Sequence, residues 1–382
     1  MAATHDGGRH CMKHRRVIGF AISTAVIAAL VFVSLGAAGT HSKKAGMTKV
    51  TLQLKWVTQA QFAGYYAAKA KGYYAAAGLD VNLKVGGPDV VPEQVVLGGQ
   101  AQFGIDWLPS LLANRDTGND LVNIGQVYTR SGTTEVTFKD KGYKSICDLK
   151  GHKYGVWIFG NEFEQEAALT KCGLDPHKDV TLVKQNFDMV AFLKRQIDAA
   201  SAMTYNELAQ VLESKNPKTG KLYQLSDLKV FKMSDEGTGM LQDAVFVKGS
   251  WIKSAANQAT AVKFLTASFK GWAYCRDHVA ECTKIVVSQG TALPAGHQLW
   301  QMNEINALIW PNRYGVGVMD PASFTNTARI AYKFKVIKKP ATTAAYRSDL
   351  AKKAVAALKA QGVDVYGKGF KKSVVTLKAG GK

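Results

Sequence analysis

Residues 50–85 read VTLQLKWVTQAQFAGYYAAKAKGYYAAAGLDVNLKV. Val50, Leu52, Leu54 and Trp56 alternate with polar residues, the period of a half-buried strand. A run of small residues from Gln61 to Ala77 predicts a helix, and Gly78 stops it. Leu79, Val81, Leu83 and Val85 then alternate as a second strand. The stretch is a β-α-β unit, and its strand-to-helix turn carries Trp56, Gln59, Gln61, Phe62, Tyr65 and Tyr66. Ligands of open α/β sheets bind outside the carboxyl ends of the strands, where this turn lies. Aromatics and amides in such a turn suit the wall of a site for a flat ligand.

The same rhythm continues outward. Gly86–Asp89 is a turn, 90–97 a helix, and 101–105 (AQFGI) a strand that leads into Asp106 and Trp107. Residues 121–127 form a strand, and 136–138 look like a strand crossing to a second unit. That unit alternates again. A strand ends at Trp157, and Phe159, Gly160, Asn161 and Glu162 open a helix to Lys171. Strand 180–183, helix 189–195, strand 199–203 and helix 205–212 follow. Residues 243–247 (DAVFV) are a further strand, after which helices dominate at 259–276, 279–287, 296–310 and 344–361. Strands alternating with helices imply parallel sheets in an α/β protein. The last ten residues are expected to be loose.

The chain has 382 residues, 47% of them hydrophobic, long enough for two domains. Residues 1–16 are basic and end in Lys13, His14, Arg15 and Arg16. An apolar run reaches about Ala38 before the polar segment Thr40–Lys44. This reads as a secretory signal or, uncleaved, as a membrane anchor. Both place the remainder outside the cytoplasm, because the basic flank stays inside. The formal charge is +20, and residues after 46 retain +15. The lysines are spread along the chain without an aromatic-basic or recognition-helix motif. The charge therefore reads as a solvated basic surface near an anionic membrane or wall, not a nucleic-acid footprint.

Cys147, Cys172, Cys275 and Cys282 follow the leader, and an exported chain permits disulfides. Cys275 and Cys282 are seven apart. One continuous helix would separate them by about 10.5 Å of rise, too far for a bridge, so a bond there requires a break near 277–281. Cys147–Cys172 is open. No C-x-x-C, G-x-S-x-G, H-E-x-x-H or P-loop occurs, and the histidines are scattered, so neither cofactor nor metal is expected.

Candidate ligand residues follow from strand ends and helix starts. Trp56 either stacks on a ring or packs under the first helix. Gln59 and Gln61 either orient a ligand or cap that helix. Phe62 and Tyr66 share a helix face, and the two divide between cleft and core. Tyr73 and Tyr74 read as packing residues. Gly87 offers close backbone approach or only a turn. Asp106 accepts from a ring N–H or caps the next helix, with Trp107 beside it. In the second unit Asn161 and Glu162 stand at a helix start, and Tyr205 or Glu207 follows the strand 199–203. Asp243 stands at the expected return crossing.

Trp56, Gly64, Tyr65-Tyr66, Ala68, Gly72-Tyr73-Tyr74 and Gly78-Leu79-Asp80-Val81 resemble the substrate-binding proteins of ABC importers in the thiamine-pyrimidine-precursor class. Riboflavin-binding and nitrate/sulfonate-binding proteins are similar. Gly86–Asp89, Gln102–Ile105, Asp148–Gly151 and Val336–Pro340 share the pattern, which spans about residues 48–365. The resemblance implies a two-lobed type II periplasmic-binding-protein fold of α/β class, with the ligand cleft between the lobes and no catalysis. It implies a signal or anchor at 1–46, lobe 1 from 47–135 and 241–340, lobe 2 from 136–240, and a C-terminal extension at 341–382. It implies a monomer that hands a small-molecule heterocycle to a membrane permease and its ATPase. Phe62 stands where the pyrimidine-precursor relatives carry His, which leans the ligand toward riboflavin or related heterocycles. A sulfonate or nitrate ligand predicts Ser, Thr and Arg with few aromatics. A pyrimidine-forming enzyme predicts a Cys-rich iron motif, which this sequence lacks.

Overall fold

The computed structural model describes residues 46–382, so the expected export segment lies almost wholly outside the described residues. The chain begins β1 (Thr48–Gln53), α1 (Ala63–Ala70), α2 (Tyr73–Ala76), β2 (Leu79–Lys84), α3 (Pro92–Leu97), β3 (Phe103–Asp106), α4 (Leu108–Asp116) and β4 (Leu121–Gln126). It continues β5 (Thr133–Phe138), β6 (Lys153–Val156), α5 (Phe163–Lys171), β7 (Thr181–Lys184), α6 (Val190–Leu193), β8 (Ala199–Met203), α7 (Glu207–Leu212) and β9 (Leu228–Lys232). It closes with β10 (Ala244–Lys248), α8 (Ala255–Asp277), α9 (Val279–Val287), α10 (Ala295–Ile309), α11 (Pro321–Lys333) and α12 (Asp349–Ala360).

The strands form two five-stranded sheets, β2-β1-β3-β10-β4 and β7-β6-β8-β5-β9. Each is parallel through its first three strands and then takes one strand antiparallel to both neighbours. That antiparallel strand is the one the chain forms on arriving from the other lobe: β5 from lobe 1 and β10 from lobe 2. Two α/β lobes are thus joined by two crossing segments, 127–132 and 233–243. The crossings lie side by side, with Tyr128 N donating to Asp243 O at 3.1 Å and Gly132 N to Gln242 Oε1 at 2.8 Å.

Lobe 1 is built around the crossing of α1 and α8. A Cβ on Gly271 would lie 2.0 Å from the Gly64 carbonyl, and a Cβ on Gly64 would run into the Trp272 ring. Only glycine permits helices this close. Trp272 then meets Tyr65 edge-on, and Phe264 stacks on Phe103 and Tyr74. The expected packing role of Tyr74 holds: it is buried and its hydroxyl pairs with Ser268 at 2.8 Å.

Several boundaries differ from the sequence reading. The first strand stops at Gln53, and Trp56 lies in the bend beyond it. The helix expected over Gln61–Ala77 is a 3-10 turn followed by α1 and α2, interrupted where Gly72 adopts φ 72°. The helix expected to open at Phe159 starts at Phe163. The sequence reading passed over α11 altogether. The last ten residues are not loose. Asn303 Nδ2 donates to Ser373 O at 2.7 Å, Leu377 packs on the lobe 2 core, and Gly380 N donates to Glu213 O at 3.0 Å. α8 ends at Asp277 and α9 begins at Val279, so the break that a Cys275–Cys282 bridge requires falls at His278. That disulfide is present with Cα atoms 5.2 Å apart, and Cys147–Cys172 is a second at 5.4 Å.

Candidate functional site

The carboxyl ends of β1, β3, β6 and β8 converge where the lobes meet. Lys55, Trp56, Gln59, Gln61 and Trp107 line the cleft from lobe 1, and Trp157, Asn161, Met203, Tyr205, Asn206 and Glu207 line it from lobe 2. All of them are buried.

On the lobe 1 side the polar groups form an ordered chain. Ala244 pairs with Asp106 across β10 and β3, which brings Asp243 beside Trp107. Trp107 Nε1 donates to Asp243 Oδ1 at 2.9 Å, and Gln61 Nε2 donates to Asp243 Oδ2 at 2.9 Å. A carboxylate only accepts, so the Gln61 amide is fixed with Nε2 toward Asp243. Its Oε1 accepts from Gln59 Nε2 at 2.7 Å. Burial pushes the Asp243 carboxyl up to about 6 against the hydrogen bond from Gln61. Lys55 is ion-paired with Asp106, and its Nζ stands 4.8 Å from the centre of the Trp107 ring. Glu93 on α3 is buried behind this pair. Burial, then the Asp106 charge, raise its carboxyl well above the usual range.

On the lobe 2 side Trp157 Nε1 donates to Asn186 O at 2.9 Å and Asn161 Nδ2 to Ile158 O at 2.8 Å. Glu207 accepts from Met203 N at 3.0 Å and from Asn206 Nδ2 at 2.6 Å. Burial pushes Glu207 up to about 8, opposed by those donors. Trp56 and Trp157 meet edge to face across the lobes, their ring centres 6.3 Å apart and inclined at 68°. A third ring between two parallel ones needs about 7–8 Å, two carbon contact distances. A flat ligand therefore enters only if the lobes part. Ser110 Oγ on Gly160 O at 3.0 Å and the Lys184–Asp89 ion pair at 3.1 Å hold the lobes together on either flank.

The structure brings Trp56, Gln59, Gln61, Trp107, Asn161, Tyr205 and Glu207 to the cleft wall. Asp106 and Asp243 lie directly behind it, held by wall residues. Four other sequence-derived candidates stand elsewhere. Phe62 is fully buried in the lobe 1 core, and Tyr66 is buried with its hydroxyl on Thr58 Oγ1 at 3.3 Å. The first α-helix starts later than the pattern suggested, and both rings belong to the lobe 1 core. Glu162 turns back to accept from Gly160 N at 2.9 Å. Gly87 is not part of the wall. The close approach belongs to Gly86, where a Cβ would lie 2.2 Å from the Leu54 carbonyl. Sequence reasoning passed over Lys55, Trp157, Met203 and Asn206. Trp157 and Met203 had a signal, since each stands at a strand's carboxyl end. Lys55 read only as the polar partner in an alternating strand.

Among the described residues no three His, Cys, Asp or Glu side chains gather as a metal site. No described helix is long and apolar enough to cross a membrane.

The riboflavin-binding protein RibY of Chloroflexus aurantiacus is 25% identical over 298 residues, 74% of this chain and 79% of that protein. The formylaminopyrimidine-binding protein of Halalkalibacterium halodurans is 22% identical over 266 residues, 69% of this chain and 77% of that protein. The periplasmic nitrate-binding protein NrtA from Synechocystis PCC 6803 superposes with a TM-score of 0.60 at 14% identity, covering 87% of this chain and 94% of its own. At that identity the likeness shows the fold, two α/β lobes around a cleft. The family model described as NMT1/THI5 like matches residues 59–281, more than half of the sequence, and the chain belongs to this NMT1/THI5-like family.

Proposed function

We propose that the protein is the extracytoplasmic solute-binding component of an ABC importer and closes on a small flat heterocycle of the pyrimidine-precursor or riboflavin type. One observation carries the reading: Trp56 and Trp157, from opposite lobes, meet edge to face inside a ring of buried amides and carboxylates. A ring stacked between them touches both lobes at once. It therefore favours the closed form and shifts the equilibrium toward it. The relatives whose names specify riboflavin and formylaminopyrimidine support the same ligand class.

An oxyanion fits this cleft less well. Its wall contains a single cation among the described residues, Lys55, and Asp106 already neutralises it. Asp243, behind the wall and pushed up only to about 6, repels an anion near neutral pH. Binding without catalysis is the simpler reading, since the wall presents no nucleophile paired with a base. The permease and ATPase supply transport, and the protein works as a monomer at the membrane surface, exported or anchored by residues 1–46.

Thermal-shift screening against riboflavin, aminopyrimidines, nitrate and alkanesulfonates tests this. A heterocycle is expected to raise the melting temperature. A shift with sulfonate or nitrate and none with any heterocycle overturns the reading.

A further inference from the structure

His297 lies on α10, fully buried and outside the cleft wall. Its Nδ1 stands 2.9 and 3.0 Å from the two carboxylate oxygens of Glu213, and its Nε2 stands 2.8 Å from Asn206 Oδ1. α10 is anchored to lobe 1, where Gln298 Oε1 accepts from Ala60 N at 2.8 Å. Glu213 and Asn206 belong to lobe 2. The histidine therefore spans the two lobes.

The ionised form of Glu207 sets the orientation of Asn206. Its Nδ2 donates to Glu207 Oε1 at 2.6 Å, so Oδ1 is the atom facing His297. The two ring nitrogens of His297 then stand against two acceptors, Asn206 Oδ1 and the Glu213 carboxylate. The four side chains form one directed chain from Glu213 through His297 and Asn206 to Glu207. At its end Glu207 receives Met203 N–H and Asn206 Nδ2–H, one on each oxygen. Each oxygen keeps a second lone pair. The lobe 1 chain ends with the same polarity. Asp243 fixes Gln61, Gln61 fixes Gln59, and Gln59 Oε1 makes no further hydrogen bond among the described residues.

We propose that His297 is a positioning residue that sets the hydrogen-bond polarity of the cleft. By holding Asn206 Oδ1 it turns Nδ2 onto Glu207, so Glu207 meets the ligand as an acceptor. The site then selects a heterocycle bearing an amino group or ring N–H over the matching carbonyl compound. The proposal rests on the reading of the cleft as a heterocycle site. A buried acceptor left facing another acceptor is costly, which is what gives such sites their discrimination.

Two substitutions separate positioning from packing. His297→Gln puts a donor where Nε2 stands, toward Asn206. His297→Asn puts one where Nδ1 stands, toward Glu213, and leaves Asn206 unheld. Calorimetric titration of the full chain with 4-amino-2-methylpyrimidine and 2-methylpyrimidin-4-one gives the ratio of the two affinities. Wild type and His297→Gln are expected to favour the amine by about tenfold or more, the scale of one buried hydrogen bond. His297→Asn is expected to lose most of that preference. An unchanged ratio in His297→Asn, or equal loss in both variants, overturns the proposal.

Nitrogen-15 NMR of the histidine side chains in the free protein supplies a readout that needs no ligand. Protons on both ring nitrogens of His297 support the proposal, and a bare Nε2 overturns it. If neither pyrimidine binds wild type, the pyrimidine form of the heterocycle reading fails, and the NMR result still decides the role of His297.

Discussion

On the proposed reading, affinity turns on Trp56 and Trp157. Each adds stacking of about 0.5–1.5 kcal/mol beyond its buried area. Trp56→Ala is therefore expected to weaken heterocycle binding by roughly tenfold or more while leaving the fold intact, as read by calorimetric titration. Lys55 behaves differently. It is buried against Asp106, with Glu93 behind the pair. Lys55→Met leaves Asp106 buried and unpaired, which costs about 3–5 kcal/mol, and urea unfolding should show that loss. Glu207, pushed up to about 8, is mostly protonated near pH 6. A ligand amine prefers the carboxylate, so affinity for an uncharged aminopyrimidine should rise from pH 6 to 8 and level off above. Trp56, Gln59 and Gln61 were legible because aromatics and amides at a strand's carboxyl end have no ordinary loop role. Lys55 was not, because its partner Asp106 lies 51 positions away, and pairing at that distance leaves no local pattern. Phe62 and Tyr66 misled for a local reason: a turn of 3-10 helix before α1 rotates the helix face that a uniform helical period assigns.

Among elements, the break between α8 and α9 was legible by arithmetic, since helical rise alone forbids a Cys275–Cys282 bond without it. The crossing strands were only half legible. β5 and β10 look like ordinary strands in sequence, and nothing local records that each is antiparallel in the sheet of the lobe it enters. Cys147–Cys172 closes a loop of 25 residues between the turn before β6 and the end of α5. Its removal by paired serines is expected to lower stability by about 2–4 kcal/mol, measured as a fall in the urea midpoint. The C-terminal tail escaped the sequence reading because its lysines and glycines look solvated. Its contacts are made through the backbone to Asn303 and Glu213 and through the single side chain of Leu377. Ending the chain at residue 372 should speed hydrogen exchange around Glu213.

At the scale of the whole molecule, four carboxyl groups at the cleft, at the crossings and on α5 share one bias. Asp243 is pushed up to about 6, Glu164 and Glu166 to about 7, and Glu207 to about 8, each first by burial. Groups raised in the folded state hold protons there that the unfolded chain releases. Stability must then fall as pH rises through the window from about 4.5 to about 8. Melting temperature without ligand should be higher at pH 5 than at pH 8, and Glu207→Gln should reduce the difference. A protein tuned for stability alone would not bury these groups so near a solvent-facing cleft. The two-lobed plan was legible from the repeated β-α-β rhythm and the resemblance it carries. The meeting of Trp56 with Trp157 was not, because it is a property of how the lobes close. Calorimetric titration of Trp157→Ala against wild type, with riboflavin and an aminopyrimidine as ligands, tests the claim that both lobes grip one ring. Affinity at least about tenfold weaker for the heterocycle that wild type binds is the result expected. Unchanged affinity would show that lobe 2 does not stack on the ligand and would contradict the account.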